Sequence, residues 1–174
     1  MVSLASSPAG TTELLLGNEA IARGALEAGV KVAAAYPGTP SSEIIETLAR
    51  LAKESGIYVE WSVNEKVAAE VASAGALAGI RSLIAMKHEG LNVALDFLAH
   101  LNLGNRVNAG FVVIVADDPQ AWSSASENDS RHIPPMIHAP LLEPNSPQQA
   151  KDMMQWAFDL SEELGMFVMI RSCT

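Results

Sequence analysis

The chain has 174 residues, 49% of them hydrophobic and 18% charged, which suits one domain with a sizeable buried core. Its formal charge of −9 and the absence of any cluster of basic residues argue against a nucleic-acid partner. No apolar stretch reaches the ~20 residues that cross a bilayer, and a single cysteine excludes an internal disulfide or a thiolate metal site, so we predict a soluble, cytoplasmic protein without a membrane partner.

Short runs rich in Val, Ile and Leu alternate with longer segments of helical period, as is typical of a parallel sheet covered by helices. We predict a flexible N-terminal segment at residues 1–10 and one domain over residues 11–174. The predicted strands are residues 13–16, 31–36, 57–61, 82–86, 111–116 and 167–171. The predicted helices are residues 18–28, 41–54, 64–79, 90–102 and 147–164. The expected fold is α/β, with a doubly wound, mostly parallel six-stranded sheet and helices on both faces.

The segment YPGTPSSE, residues 36–43, follows the second predicted strand. Gly38 permits unusual backbone dihedrals, and Ser41 or Ser42 can cap the next helix. The segment is either a rigid strand-to-helix turn or a site where the Thr39 hydroxyl and the helix-start amides hold an anion. The spacing alone leaves both interpretations open.

The segment SVNEKVAAEVASAGALAG, residues 62–79, predicts a helix with Asn64 as its cap and Glu65 in its first turn. An acid at a helix start is stabilised by ~0.3–1 kcal/mol, so this is the ordinary interpretation of Glu65. Gly75 and Gly79, in an Ala-rich run, let another backbone approach closely, either inside the domain or at an interface.

The segment MKHEGLN, residues 86–92, does not match the metalloprotease zinc motif, which needs a second histidine four residues after His88. No other histidine has ligand spacing with His88, so we predict no metal site in this chain. His88 and Asn92 follow a strand and can face a ligand, although a capped turn at Gly90 explains them almost as well.

Residues 117–140 show no sustained periodicity and predict a long ordered loop. Polar side chains, among them Ser123, Asn128 and Arg131, crowd its middle. The loop is either a solvated polar segment or a flap that orders over a substrate or partner. Trp122 favours the flap, because a large aromatic side chain needs something to pack on.

Three common motifs are absent: GxGxxG after the first strand, GxxxxGK[ST], and GxSxG anywhere in the chain. The usual nucleotide-binding domains and serine hydrolases are therefore disfavoured. In a doubly wound sheet, ligands gather beyond the carboxyl ends of the strands, so the four segments described above form the candidate site.

Four ordered segments resemble one family, the 2-oxoacid:ferredoxin oxidoreductases, and within it the pyrimidine-binding domain of the large subunit of indolepyruvate enzymes. They are YPGTPSSEI (36–44), WSVNEKVAAEVASAGALAG (61–79), MKHEGLNVALD (86–96) and VADDPQAWSSASENDSR (115–131). The resemblance implies the thiamine-diphosphate-binding fold of the pyrimidine type. It also implies a cofactor clasped between this domain, which holds the aminopyrimidine ring, and a second domain, which holds the diphosphate through Mg²⁺.

By this resemblance Glu65 is the catalytic residue, which hydrogen-bonds a pyrimidine ring nitrogen and stabilises the imino tautomer. That tautomer takes the proton from C2 of the thiazolium ring. The cofactor-binding residues that the resemblance implies are Glu65, Gly38, Thr39, His88 and Asn92. The substrate or flap residues that it implies are Thr39, Trp122, Ser123, Asn128 and Arg131.

The chain lacks the family's GDG-type Mg²⁺ motif and its cysteine clusters, so Mg²⁺ and iron–sulfur clusters are expected only on missing domains or subunits. The implied reaction is oxidative decarboxylation of a 2-oxoacid such as indolepyruvate, with ferredoxin as acceptor. It would require a diphosphate-binding domain or subunit in a dimer or heteromer, and the isolated chain would be inactive. The alternatives are the separate alpha subunit of a non-oxidative decarboxylase of the sulfopyruvate type and a non-catalytic α/β assembly module.

Overall fold

A computed structural model describes residues 4–104 and 106–173. Within them one six-stranded sheet has the order β2-β1-β3-β4-β6-β5, and all its strand pairs are parallel. The strands are β1 (Val32–Ala35), β2 (Tyr58–Trp61), β3 (Ser82–Lys87), β4 (Phe111–Asp117), β5 (Leu141–Leu142) and β6 (Val168–Cys173). The helices are α1 (Gly17–Glu27), α2 (Ser42–Ser55), α3 (Glu65–Leu77), α4 (His88–Gly104), α5 (Ile133–Met136) and α6 (Pro147–Leu164).

Helices cover both faces of the sheet. One buried core joins α1, α2 and α6 to the sheet, with Ile21, Leu48 and Phe158 among its members. The second core joins α3 and α4 to the opposite face, with Leu91 and Leu98 among its members. Every residue of β4 is buried, as expected where helices cover a parallel sheet on both sides. The α/β, doubly wound fold predicted from the sequence is confirmed.

Polar side chains cap the starts of two helices. The Asn64 side chain accepts a hydrogen bond from the Val67 amide at 2.9 Å, so Asn64 caps α3 as predicted. Ser146 accepts one from the Gln149 amide at 3.2 Å and caps α6, which ends at Gly165 with a left-handed φ of 70°.

Ser41 occupies the N-cap position of α2, but its side chain makes no capping hydrogen bond. The Ser41 hydroxyl donates to the Gly38 carbonyl at 2.8 Å, and the Ser42 hydroxyl accepts from the Gly38 amide at 2.9 Å. Both serines therefore fasten the turn before α2 instead of satisfying the amides of its first turn. The same short side chains that favour helix caps also stabilise turns, so the sequence did not separate the two roles.

Two strand assignments need correction. Residues 13–16 form no strand, and Leu14 and Leu16 are 101% and 68% exposed. The edges of the sheet are instead β2 and β5. The two-residue strand β5 was missed because it is too short to show a period-two pattern, and only its pairing with β6 defines it.

The segments after β3 and β4 also differ from prediction. Helix α4 begins at His88, directly after β3, so Gly90 lies inside the helix and not in a capped turn. Residues 117–140 are ordered, as predicted, but include the last residue of β4, two 3-10 turns and α5. The 3-10 turns are Pro119–Ala121 and Ser130–His132.

The Ala/Gly run of α3 packs inside the domain at Gly75. A methyl group there would collide with the Ser82 side chain and lie 3.3 Å from Cγ2 of Val32. Gly79 instead follows the end of the helix with a φ of +87°, which favours glycine. Of the two interpretations of this run, internal packing applies to Gly75.

The contact between α1 and α6 depends on Gly24, because a methyl group at this position would collide with the backbone of Lys151. Gly24→Ala is therefore expected to lower the free energy of unfolding by about 1–3 kcal/mol relative to Gly17→Ala. Gly17 is the matched control, since it lies on the same helix with nothing within 4 Å of an added methyl group. Urea unfolding of both variants measures the difference, and equal stability would contradict the tight contact.

Candidate functional site

The strand order reverses between β1 and β3, because the chain runs outward from β1 to β2 and from β3 to β4 on the other side. Ligands of doubly wound sheets bind outside the carboxyl ends of the strands at such a point. The turn after β1 and the end of β3 meet here, since a methyl group at Gly38 would lie 3.1 Å from Cγ of Lys87. Two of the predicted segments, far apart in the sequence, therefore border one crevice.

Glu65 is the first residue of α3 and is only 7% exposed. Its side chain packs on the first turn of α4, because a methyl group at Gly90 would lie 2.6 Å from the Glu65 Oε1 atom. Among the residues that the structure describes, none forms a hydrogen bond or an ion pair with this carboxylate. Glu65 is thus a buried acid that packing holds in place and that keeps its hydrogen-bonding capacity.

His88, the first residue of α4, is completely buried. Its Nε2 atom lies 2.9 Å from the Ser126 carbonyl oxygen. A carbonyl only accepts hydrogen bonds, so Nε2 carries a proton and donates it. His88 therefore fastens the loop after β4 to the start of α4, and its side chain is not at the surface. Asn92, one turn further along α4, is exposed.

Glu89 adds a charged group to this rim. One of its oxygens, Oε2, lies 3.1 Å from His88 Nε2 and 3.4 Å from Lys87 Nζ. Burial raises the pKa of Glu89, but a hydrogen bond from its own amide and the charges of His88 and Lys87 outweigh burial, so the pKa lies below its ordinary value. The carboxylate stays ionised at neutral pH, and its Oε1 atom accepts from the Ser126 hydroxyl at 3.4 Å.

Two buried aspartates at the end of β4 organise the loop that follows. The Asp118 carboxylate accepts hydrogen bonds from the amides of Trp122, Ser123 and Ser124 at 3.2, 2.7 and 2.8 Å. Asp117 accepts from the Ser130 amide at 3.0 Å. Neither role was predicted from the sequence, although two consecutive aspartates directly after an apolar strand were the available signal.

This loop crosses the crevice and ends in a network of charges. The Ser124 hydroxyl donates to the Thr39 carbonyl at 3.4 Å. Arg131 pairs with Asp129 at 3.1 Å and with Glu143 at 2.8 Å. Its hydrogen bonds with Glu143 and then Asp129 raise the pKa of Arg131. These contacts fasten the loop beside Thr39 and Glu143.

The predicted loop residues differ in their surroundings. Trp122 is 79% exposed, Ser123 is bound to Asp118, and Asn128 is half-buried. Thr39 and Arg131 both line a cleft of about 660 Å³ that also includes the starts of α1 and α6. The structure thus brings Thr39 and Arg131 to one cleft, while Glu65 and His88 lie at the start of α3 and α4.

Asp118→Ala removes the acceptor for three loop amides and is expected to loosen residues 122–124. Losing such acceptors costs about 1–3 kcal/mol, which corresponds to amide hydrogen exchange about 5- to 150-fold faster at these positions. Exchange measured by NMR or mass spectrometry tests this, and the Ser130 amide, held by Asp117, provides an internal control. Unchanged exchange at residues 122–124 would show that other contacts hold the loop.

In the part of the chain that the structure describes, no three His, Cys, Asp or Glu side chains are grouped so as to hold a metal ion. No helix within the described ranges has the length and apolar character that crossing a bilayer requires.

Comparison with known proteins gives two kinds of match. Residues 23–172 match the family described as pyruvate flavodoxin/ferredoxin oxidoreductase, thiamine diphosphate-binding. The chain is 55% identical over 166 residues to indolepyruvate oxidoreductase subunit IorA of Thermococcus kodakarensis, which covers 95% of this chain and 25% of that protein. It is 30% identical over 164 residues to 2-oxoglutarate synthase subunit KorA of Methanothermobacter thermautotrophicus, covering 88% of this chain and 42% of that subunit.

Among solved structures, 2-oxoglutarate:ferredoxin oxidoreductase from Magnetococcus marinus matches with a TM-score of 0.78 and 19% identity. The match covers 91% of this chain and 29% of that one, and it shows that the two share a fold. The chain spans about a quarter of the length of the IorA subunits that it resembles.

Proposed function

The chain belongs to the pyruvate flavodoxin/ferredoxin oxidoreductase family of thiamine-diphosphate-binding domains, and we propose that it is the pyrimidine-binding half of a thiamine-diphosphate-dependent 2-oxoacid oxidoreductase. The observation that carries this proposal is the buried Glu65 carboxylate, which lies at the reversal of strand order and has no partner among the described residues. The two kinds of subunit it resembles are named for indolepyruvate and 2-oxoglutarate. The higher identity to the first favours indolepyruvate as the substrate.

The residues present fit the aminopyrimidine ring of the cofactor. A ring nitrogen of the pyrimidine needs one hydrogen-bonding acid, and Glu65, which is only 7% exposed, has that capacity unused. Bound thiamine diphosphate supplies the carbon nucleophile that attacks the carbonyl of a 2-oxoacid. The part of Glu65 is to hold a proton at the ring nitrogen, in surroundings where few water molecules compete for it.

The other predicted residues take supporting roles in this proposal. Gly38 and Thr39 border the crevice opposite α4 and contact the cofactor or the reacting 2-oxoacid. His88 orders the rim through Ser126 and acts on the cofactor indirectly, since its own side chain is buried. Asn92 is exposed and faces either the cofactor or the docked domain.

The loop after β4 supplies the substrate contacts of the proposal. Arg131 is the cation that binds the carboxylate of the 2-oxoacid. To do so it must give up its ion pair with Asp129 or with Glu143. Ser123 and Asn128 offer polar contacts. The exposed indole of Trp122 packs on an aromatic substrate or on the partner domain.

The diphosphate-binding domain, its Mg²⁺ and the iron–sulfur clusters belong, in this proposal, to the remainder of the enzyme or to other subunits. Ferredoxin would accept the electrons from the complete cytoplasmic complex, a dimer or heteromer. This chain spans less than half the length of each relative described above, which supports this division.

Reconstitution tests the proposal. The chain is co-expressed with a diphosphate-binding domain of the same family, and the purified complex is assayed for thiamine-diphosphate content and for indolepyruvate-dependent dye reduction. Each component alone is the control and is expected to be inactive. Release of aldehyde and CO₂ without any electron acceptor would show that the enzyme is a non-oxidative decarboxylase and not an oxidoreductase. A complex that assembles without binding the cofactor would show that the chain is a non-catalytic assembly module.

A further inference from the structure

We propose that Gly90 is a positioning residue: its missing side chain sets the place of the Glu65 carboxylate in the crevice. This inference rests on the proposed function of Glu65. It assigns the third residue of α4 a part in cofactor activation, although Gly90 itself would touch neither the cofactor nor the substrate.

The contact is specific to one side chain. The three atoms nearest to a methyl group built at Gly90 all belong to Glu65: Oε1 at 2.6 Å, Cγ at 2.7 Å and Cδ at 2.9 Å. Real Cβ atoms essentially never show separations this short, so an alanine at this position must displace the Glu65 side chain or move α3 from α4.

Local backbone structure gives no reason for glycine at this position. Gly90 lies in the first turn of an α-helix and is not among the described glycines with positive φ. Glycine is a poorer helix former than alanine, so the helix alone would favour a larger residue. The packing of Glu65 is what requires the missing side chain.

Neither helix can move easily to relieve the collision. The start of α3 is fixed by the Asn64 cap and by Ala68 and Ala69, both completely buried. The start of α4 is fixed by the hydrogen bond from His88 to the Ser126 carbonyl and by Leu91, which is 1% exposed. A methyl group at position 90 is therefore relieved mainly by rotation of the Glu65 side chain, which shifts its carboxylate.

A shift of this kind should impair cofactor activation more than cofactor binding. A misplacement of ~1 Å in a catalytic group can cost about 100-fold in rate. In the complete enzyme with thiamine diphosphate bound, Gly90→Ala is therefore expected to slow hydrogen–deuterium exchange at C2 of the thiazolium ring about 100-fold. The exchange is followed by NMR of cofactor recovered after quenching, and it requires neither the 2-oxoacid nor electron transfer.

Two matched variants separate positioning from general damage. Gly104→Ala makes the same change at the other end of α4, where nothing lies within 4 Å, and should exchange like the unaltered enzyme. Gly75→Ala introduces a comparable collision in α3, but with Ser82, and should affect stability without slowing C2 exchange. Slow exchange in Gly75→Ala would point to helix disturbance and would overturn the role of Gly90.

The dependence on Glu65 is tested by combining Gly90→Ala with Glu65→Gln. If Gly90 acts through Glu65, the double variant exchanges no more slowly than Glu65→Gln alone. An equal further loss in that background, or normal exchange in Gly90→Ala, would overturn the inference while leaving the role of Glu65 intact. Normal exchange in Glu65→Gln alone would instead overturn the proposed function of Glu65, and the inference with it.

If the Gly90→Ala chain folds poorly, a measurement without cofactor still tests the inference. The colliding atoms are removed by Glu65→Ala, so the chain carrying both changes should melt at a higher temperature than the Gly90→Ala chain. If Glu65→Ala fails to raise the melting temperature of the Gly90→Ala chain, the collision does not involve Glu65 and the inference is wrong.

Discussion

Replacing Glu65 with glutamine in the complete enzyme is expected to lower 2-oxoacid-dependent dye reduction by about 100- to 10,000-fold, the range that proton transfer by a positioned side chain contributes. Glutamine has nearly the same size and can still donate a hydrogen bond to the pyrimidine ring. It cannot take up and release the proton, however, so the change removes the chemistry and keeps the packing on Gly90. Steady-state assays at saturating cofactor measure the loss.

Glu70→Gln is the matched control for this experiment. Glu70 lies on the same helix, also carries a carboxylate, and is exposed to solvent. The control should keep its activity, and circular dichroism should show the same helix content in both variants. An active Glu65→Gln enzyme would remove Glu65 from the mechanism, and with it the main support for a pyrimidine-binding role.

Much of the fold follows from local sequence signals that agree with one another. Asn64 caps α3 as predicted, and Ser146 and Gly165 mark the two ends of α6, because each signal is completed within one helical turn. The apolar run of β4 and the helical segments around it were also sufficient to predict a covered parallel sheet.

The sequence misled where a structure depends on a distant partner. The leucines of residues 13–16 look like a strand, but they pair with no strand of the sheet. Leu141 and Leu142 form a strand only because β6 lies beside them. Short apolar runs do not reveal whether a partner exists, so these two predictions failed for the same reason.

The same limit applies to the candidate site. The motifs placed Thr39, Glu65 and His88 at strand ends, which is where the structure has them. They did not show that His88 is buried, that Asp118 binds the loop amides, or that Gly90 packs against Glu65. Each of these contacts joins residues from different segments, and no spacing within one motif encodes it.

Arg171→Leu is expected to cause the largest loss of stability, about 3–5 kcal/mol, because it removes the guanidinium that pairs with the buried Asp117 carboxylate. The Arg171 Nε atom donates to the Asp117 carboxylate at 2.6 Å, and Asp117 is completely buried. Arg131→Leu is the matched control. Both arginines pair with Glu143, but the Arg131 side chain is 48% exposed, so its loss should cost less than about 1 kcal/mol.

Urea unfolding of the two variants gives both values, and similar losses would contradict the importance of burial.

The double variant Asp117→Asn/Arg171→Leu separates two roles of this ion pair. Replacing both charges removes the buried carboxylate that has lost its arginine, so much of the lost stability should return. Asp117 accepts hydrogen bonds from both the Ser130 amide and Arg171. If amide exchange at Ser130 is faster in that variant than in the unaltered chain, the pair serves mainly to hold the loop across the crevice. Slow exchange at Ser130 would show that the loop keeps its place without the charges.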